Sequence, residues 1–417
     1  MCKETCCVES VAISLEQDEH QIIQQRDGVD LADLVLPHRR LKPEHLKYHG
    51  QTLHPAMLPC LVPGTIITLE NHRKQTIYFW HKLRQHIQVP YILLTTGSDN
   101  DSPECYEQYI ADPLLIRWYG TNPINRSHPL FQQNLHKFKS LNLGLSFQRP
   151  QERHLLPYLQ LNNFTNPFLN KRKWDFSRKD FSFKDDMFVQ FGLHTPHRKQ
   201  LWNLLCPNTT TTSSSCNTNT VSLEVHQLYS DMSQYRFGIS PPGHGYDCYR
   251  TYEMLLLGVI PIVEKSSTKD LFEDLPVIQM EDLASVSSRQ DFVDAIQNYI
   301  ASDAFQNANF QRGWERLFLK SRRQELLQVS QREKEVLVDQ HGMRYYQAYQ
   351  YTVLGNNHGH LQQLEDCEYG CNVEDEDAIT DWVDTPLPKL TEDEINWLQD
   401  WERSSQLPQF QFLQSMY

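Results

Sequence analysis

Two patterns of apolar and polar positions alternate along this chain. Short, almost wholly apolar runs bounded by Gly, Pro, Asn and Asp read as buried strands. Between them lie stretches in which apolar residues return every three or four positions, the spacing of a helix packed on one face. In a first block, Gly64 to Glu70, Pro90 to Gly97, Pro113 to Asn122 and Lys139 to Ser146 are predicted strands. Thr76 to Ile87 is a predicted helix, with Ile77, Trp80, Leu83 and Ile87 on one face, and Cys105 to Asp112 is a shorter one. In a second block, Met187 to Gly192, Val221 to Leu228, Tyr235 to Ser240, Val259 to Val263 and Pro276 to Met280 are predicted strands. Arg198 to Leu205 and Asp291 to Ala301 are predicted helices, the latter packed through Phe292, Ile296 and Ile300. Alternating strands and helices predict an α/β fold with parallel sheets, built as two Rossmann-like units.

The same pattern sets the boundaries. Residues 1–60 lack a sustained period and read as an N-terminal extension; 61–150 form the first unit. Residues 151–184, polar and proline-bearing, read as a connection, and 185–310 form the second unit. Helical spacing continues through 311–355, a segment able to return to the first unit, and 356–417 read as an acidic tail. The stretch from Pro207 to Thr220 is low-complexity and reads as an exposed loop.

Chemistry concentrates between Ser240 and Val263, where a strand, a loop with two prolines and two glycines, a short helix and a second strand succeed one another. Gly243 and Gly245 suit positive φ and close approach of backbone to a ligand. Asp247 is placed to cap the helix, and Gly258 to end it. Ligands of open α/β sheets bind outside the carboxyl ends of strands, which sets Arg250 and Glu253, one helical turn apart, beside such a crevice.

The arrangement Arg250, Glu253, Gly258 and Pro261 (Arg-x-x-Glu, four residues, Gly-x-x-Pro) resembles the signature of the exostosin-like glycosyltransferases, and a related arrangement occurs in the α1,3-fucosyltransferases. The resemblance covers the second unit well and the first only through the order of elements. It implies a GT-B fold, with an acceptor-binding first domain, a second domain that binds a nucleotide sugar, and an interdomain cleft. It implies that Glu253 holds the ribose hydroxyls and that a basic residue, Arg250 or Arg198, faces the diphosphate. Amides of Gly243, His244 and Gly245 are further phosphate donors in this reading. His244 reads either as a phosphate ligand or as an exposed loop histidine, Tyr246 either as a stacking platform or as loop packing, and Arg198 either as a diphosphate ligand or as a solvated helix-start residue. Met254, where the fucosyltransferase pattern has lysine, favours a uridine-linked over a guanosine-linked donor. The resemblance also implies a Golgi enzyme acting on a glycan or glycoprotein.

An inverting transfer needs a base for the acceptor hydroxyl. Glu70 and Asp99 stand at the ends of predicted strands, with His72 and Asp101 nearby, and are the candidate bases. Trp118, Tyr119 and Asn122 follow a strand and are placed either to line an acceptor site or, for Trp118, to fill the core. Asp99-Asn100-Asp101 has the Asp-x-Asp form of metal-binding transferases, but that motif belongs chiefly to a different transferase fold, so no essential metal is expected.

Charge adds one exclusion. The net charge is −13, but Glu365 to Arg403 carries 14 acidic and 2 basic residues, so the remainder is nearly neutral. A nearly neutral body argues against nucleic acid as a partner. Ten cysteines show no zinc-ligand spacing; Cys206 and Cys216 flank a loop and fit either a disulfide or two thiols. Sequons at Asn125, Asn163 and Asn208 bear only on a secretory route. Neither a signal peptide nor a membrane-spanning run is read from the sequence, so any anchor implied by the resemblance is not visible here. Two competing readings stand beside the transferase: a non-catalytic glycan-binding relative, and a dinucleotide oxidoreductase, which the lack of GxGxxG after a first strand disfavours.

Overall fold

The computed structural model of this chain describes residues 31–36, 51–53 and most of 58–330, not including 147–150, 171–181, 207–224 and some shorter stretches. It is an α/β structure with two parallel sheets. The first runs in the order β2-β1-β3-β4-β5-β6, and the second in the order β10-β9-β8-β7. The strands of the first are β1 (Leu34–Val35), β2 (Gln51–Thr52), β3 (Thr65–Glu70), β4 (Tyr91–Thr96), β5 (Leu115–Gly120) and β6 (Phe138–Ser140). The second sheet holds β7 (Met187–Phe188), β8 (Phe237–Ile239), β9 (Ile260–Glu264) and β10 (Ile278–Met280). Every pairing between these strands is parallel.

Parallel strands are covered on both faces, and β3 and β4 are buried at every position. Period-two alternation divides their side chains between two cores. Ile66, Ile92 and Leu94 join one cluster, and Ile67, Leu69 and Leu93 the other. A single larger cluster surrounds the second sheet. Among the described residues, the longer helices around that sheet and the junction are α1 (Gln151–Leu161), α2 (Pro196–Leu205), α3 (Val225–Met232), α4 (Tyr249–Leu256) and α5 (Arg289–Ala301). Thr195 caps α2, its hydroxyl accepting from Arg198 N–H at 3.2 Å, with Pro196 at the first helical turn. Ser288 and Asp291 form a capping box at the start of α5.

Several expectations change. Val221 to Leu228 is not a strand: Val225–Met232 is helix α3, and residues 221–224 lie outside the described ones. Tyr229 and Met232, three apart and both fully buried, supply a helical face that outweighs the local alternation. In the predicted helix Thr76 to Ile87, residues 77–78 lie outside the described ones, and the rest contains a π-helical turn at Phe79–Leu83 followed by a 3-10 turn at Arg84–His86; Phe79, Trp80, Leu83 and Ile87 are buried nonetheless. Of Lys139 to Ser146, only Lys139 and Ser140 belong to a strand, β6, and Leu145 makes an isolated bridge. Within the stretch read as an extension, Leu34–Val35 and Gln51–Thr52 add two strands to the first sheet, because Leu34, Leu36 and Leu53 bury against it. Within the stretch read as a connection, α1 and Phe168 contribute Leu155, Leu159 and an aromatic ring to the second core.

Residues 319–330 are helical and lie against the first sheet. Leu326 packs with Ile66, Ile92 and Leu94, Arg323 donates to Asp33 at 2.6 Å, and Ser330 Oγ donates to the Gly64 carbonyl at 2.6 Å. The acidic tail lies outside the described residues. Among the described residues no helix is long and apolar enough to cross a membrane.

Candidate functional site

The carboxyl edges of the two sheets meet. At the end of β6, Ser140 N–H and Oγ donate to Asp270 at 2.8 and 2.7 Å, and just past it Asn142 Nδ2 donates to the Leu271 carbonyl at 2.8 Å. Leu143 N–H donates to Asp247 Oδ2 at 2.9 Å, and Asp247 N–H donates to Asn122 Oδ1 at 3.1 Å. Asn122, just past β5 and with φ of 47°, therefore touches the loop that succeeds β8. A β-carbon on Gly245 would lie 2.3 Å from Asn122 Oδ1, so glycine there permits this close approach. Neither Gly243 nor Gly245 adopts positive φ, contrary to the sequence expectation. Their value here is the missing side chain, since a β-carbon on Gly243 would stand 3.3 Å from Arg198 Nη2. Gly258, by contrast, takes φ of 76° directly after α4, the left-handed helix ending that the sequence suggested.

Asp247 does not cap α4, whose N-cap is Cys248 with no side-chain bond. Its carboxylate accepts instead from Leu143 N–H and from Tyr252 Oη–H at 2.7 Å, and Oδ1 is buried without a hydrogen bond among the described residues. Burial dominates, and its pKa is pushed up to about 7. Cys248 is a free thiol whose pKa burial raises to about 11, which makes it a poor nucleophile.

Cationic side chains gather around the loop of residues 241–248. Arg198, near the start of α2, is buried; its Nε donates to the Pro242 carbonyl at 2.9 Å and Nη2 to the Pro241 carbonyl at 2.8 Å. It braces the loop rather than extending into solvent. Burial, and then the neighbouring Arg250, lower its pKa. The His194 and His244 rings stack at 5.9 Å between centroids, and burial, with Arg198 and then His244, holds the His194 pKa below its ordinary value. His244 is exposed, as is Tyr246 at 45%. Arg250 Nε pairs with Glu253 Oε2 at 3.2 Å on α4. The Glu253 side chain is 4% exposed and that of Arg250 23%, so an entering molecule meets the guanidinium first. Arg250 Nη1 is buried and makes no hydrogen bond among the described residues.

The first edge is different. Glu70 closes β3 and is buried, at 9% exposure, with Gly97 packed beside its Cγ. Asp99 lies outside the described residues. Asp101 pairs loosely with Arg126 at 4.0 Å; burial raises its pKa against the pull of that arginine. His72 is exposed. Trp118 is a core residue: it is 1% exposed, and its Nε1–H donates to Thr95 Oγ1 at 2.9 Å. Tyr119 is likewise buried in the opposite core, which pushes its pKa up to about 12. Neither lines a surface, which corrects the acceptor-site placement. Of that trio only Asn122 reaches the junction.

Sequence reasoning alone misses His194 and His197, which precede and open α2. The signal is present: His194-Thr195-Pro196-His197-Arg198 sets three basic side chains around a helix start just beyond a strand. Cys206 is disulfide-bonded, while Cys216 lies outside the described residues. The sequon asparagines Asn125 and Asn163 are exposed, and Asn208 lies outside the described residues. No protein-family model matches this chain, and no curated protein matches it.

Proposed function

We propose that this chain is a glycosyltransferase of GT-B type that moves a sugar from a uridine-linked donor to a glycan or glycoprotein, with inversion and without an essential metal at the diphosphate. One observation carries the reading. Arg250 Nη1 is a buried cationic donor without a hydrogen bond among the described residues, at a strand's carboxyl edge, with Arg198, His194 and His244 close by. Buried charged donors are ordinarily satisfied, and a phosphate oxygen is the acceptor that suits a guanidinium best. Arg250 disfavours the charge on Arg198, and a diphosphate beside both guanidiniums offsets that repulsion.

In this reading the acceptor hydroxyl attacks the anomeric carbon, the bond from that carbon to the diphosphate oxygen breaks, and the electron pair leaves with the diphosphate. Arg250, His244 and the amide of Gly245 receive that developing charge, whereas the Gly243 amide donates to the Gly245 carbonyl at 3.1 Å and holds the loop. Arg198 holds the loop in place through the Pro241 and Pro242 carbonyls. Glu253 takes the ribose hydroxyls once Arg250 turns outward, since the pair now covers the carboxylate. Glu70 and Asp99 remain the carboxylates proposed to accept the hydroxyl proton. A Golgi location agrees with the disulfide at Cys206, because disulfides persist in oxidising compartments.

Calorimetric titration with uridine and guanosine diphosphates tests the proposal. Uridine diphosphate is expected to bind with the higher affinity, and release of the free nucleotide from a panel of uridine-linked sugars is expected once an acceptor is supplied. Failure of both nucleotides to bind removes the reading. Burial of Glu70 favours a second one, a nucleotide-binding protein without turnover, which binding without release would select.

A further inference from the structure

We infer that His197, Glu264 and Asp282 form a binding site for one divalent transition-metal ion of the zinc or manganese type, separate from the nucleotide reading above. Each side chain offers one ligand atom, and these three atoms all lie within 4.8 Å of one another. They come from three separate places in the chain. His197 stands in the first turn of α2, Glu264 ends β9, and Asp282 lies two residues beyond the end of β10. β9 and β10 are parallel neighbours, so the two carboxylates share the carboxyl edge of the second sheet, the edge at which open α/β sheets bind their ligands.

The unsatisfied atoms point to an ion. His197 Nε2 and Glu264 Oε2 face each other at 3.9 Å. Both atoms are buried, and neither makes a hydrogen bond among the described residues. A separation of 3.9 Å is too long for a hydrogen bond between them. It is near what a shared metal requires: ligand bonds of about 2.0–2.2 Å in a tetrahedral array set ligand atoms roughly 3.4 Å apart. Closure by about half an ångström, well within side-chain freedom, brings them to that distance.

Lys265, adjacent to Glu264, is paired with Glu281, adjacent to Asp282. One imidazole nitrogen with two carboxylate oxygens suits zinc or manganese better than magnesium or calcium, which prefer all-oxygen sets. Three protein ligands leave a fourth position open for water or a substrate oxygen. Asp282 is exposed, so that opening is on the solvent side.

The test measures binding of Zn²⁺ and Mn²⁺, with Mg²⁺ as the comparison, to the full chain after chelation and dialysis, by calorimetry and metal analysis. One equivalent of Zn²⁺ or Mn²⁺ is expected, with Mg²⁺ at least ten-fold weaker. His197→Ala and Glu264→Gln are each expected to lower that affinity ten-fold or more. Asp282→Asn alters an exposed residue and keeps the fold, so it carries the test if the other two fail to fold. Co²⁺ loaded in place of zinc adds a visible spectrum that must change in the Asp282→Asn protein. Absence of a bound equivalent in the wild type, or an affinity and Co²⁺ spectrum unaltered by Asp282→Asn, overturns the site. Nucleotide titrations run without metal keep this outcome apart from that of the nucleotide reading.

Discussion

The two sheets present the same topological edge and put different chemistry on it. On β3 and β5 of the first sheet, the side chains that matter turn inward: Glu70, the last residue of β3, is 9% exposed, and Trp118 is sealed against Thr95. Past β7 and β8 of the second, the chain turns into a loop ringed by His194, Arg198, His244 and Arg250. The difference lies in the residues that each strand carries and leads into. Cores reward burial of large apolar rings, and β5 feeds such rings to both faces of its sheet. The loop after β8, rich in proline and glycine, has few apolar side chains to bury; it leaves His244 and Tyr246 exposed and Arg250 half-buried beside them. A carboxyl edge therefore offers a site without guaranteeing one.

Four experiments press on that contrast. Trp118→Ala has the largest expected effect, about 3–5 kcal/mol of lost stability from a truncated buried indole. Chemical denaturation measures it. The folded fraction should bind uridine diphosphate as wild type does, and weaker binding by that fraction would return Trp118 to the site.

Asp247, at the junction of the two edges, comes next. Its pKa is about 7 in the folded protein, above the ordinary value near 3.9 of an unfolded chain. The native state therefore holds the extra proton between those values. Stability from this group is full below about pH 4 and is lost as pH rises through about 7. Denaturation midpoints from pH 4.5 to 8 should fall for the wild type and stay flatter for Asp247→Asn, whose amide keeps an acceptor for Leu143 and Tyr252. Parallel curves for the two proteins would show that burial does not govern this carboxyl.

Glu253→Ala should lower the midpoint, since it takes the buried partner from the Arg250 guanidinium, and in the folded protein weaken uridine diphosphate binding roughly 10–100-fold, the span of about 1.5–3 kcal/mol for hydrogen bonds to a charged group. Binding as tight as wild type would remove Glu253 from the proposed site and leave the arginines alone. Gly245→Ala has the smallest expected effect, about 1 kcal/mol of stability, because the Asn122 amide must move aside for the new methyl. A comparable midpoint with unaltered nucleotide binding would show that the contact between the two edges is loose.

Much of the architecture was legible in the chain. β3, β4, β8 and β9 coincide with apolar runs, because a strand buried on both faces has to be apolar almost throughout. Gly258 marked the end of α4, because a positive φ at that place suits glycine best. α3 was not legible, since Val221 to Leu228 satisfies both periods, and only burial of Tyr229 and Met232 chose the helix. Leu34–Val35 and Gln51–Thr52 were hidden because two-residue strands have no period to read.

The candidate site divides the same way. By itself the sequence determined which residues could bear charge beside a strand end, Arg198, His244, Arg250 and Glu253, since residue type and local order are written there. Only the tertiary structure decided what those charges do. It turned Arg198 onto two carbonyls, closed Arg250 over Glu253, carried Asp247 across to Leu143, and brought His197 to Glu264. Helical and strand periods arise from neighbours a few positions apart, whereas each of these contacts except the Arg250–Glu253 pair joins residues far apart in the chain. Their energetic sign depends on burial, which no local pattern encodes.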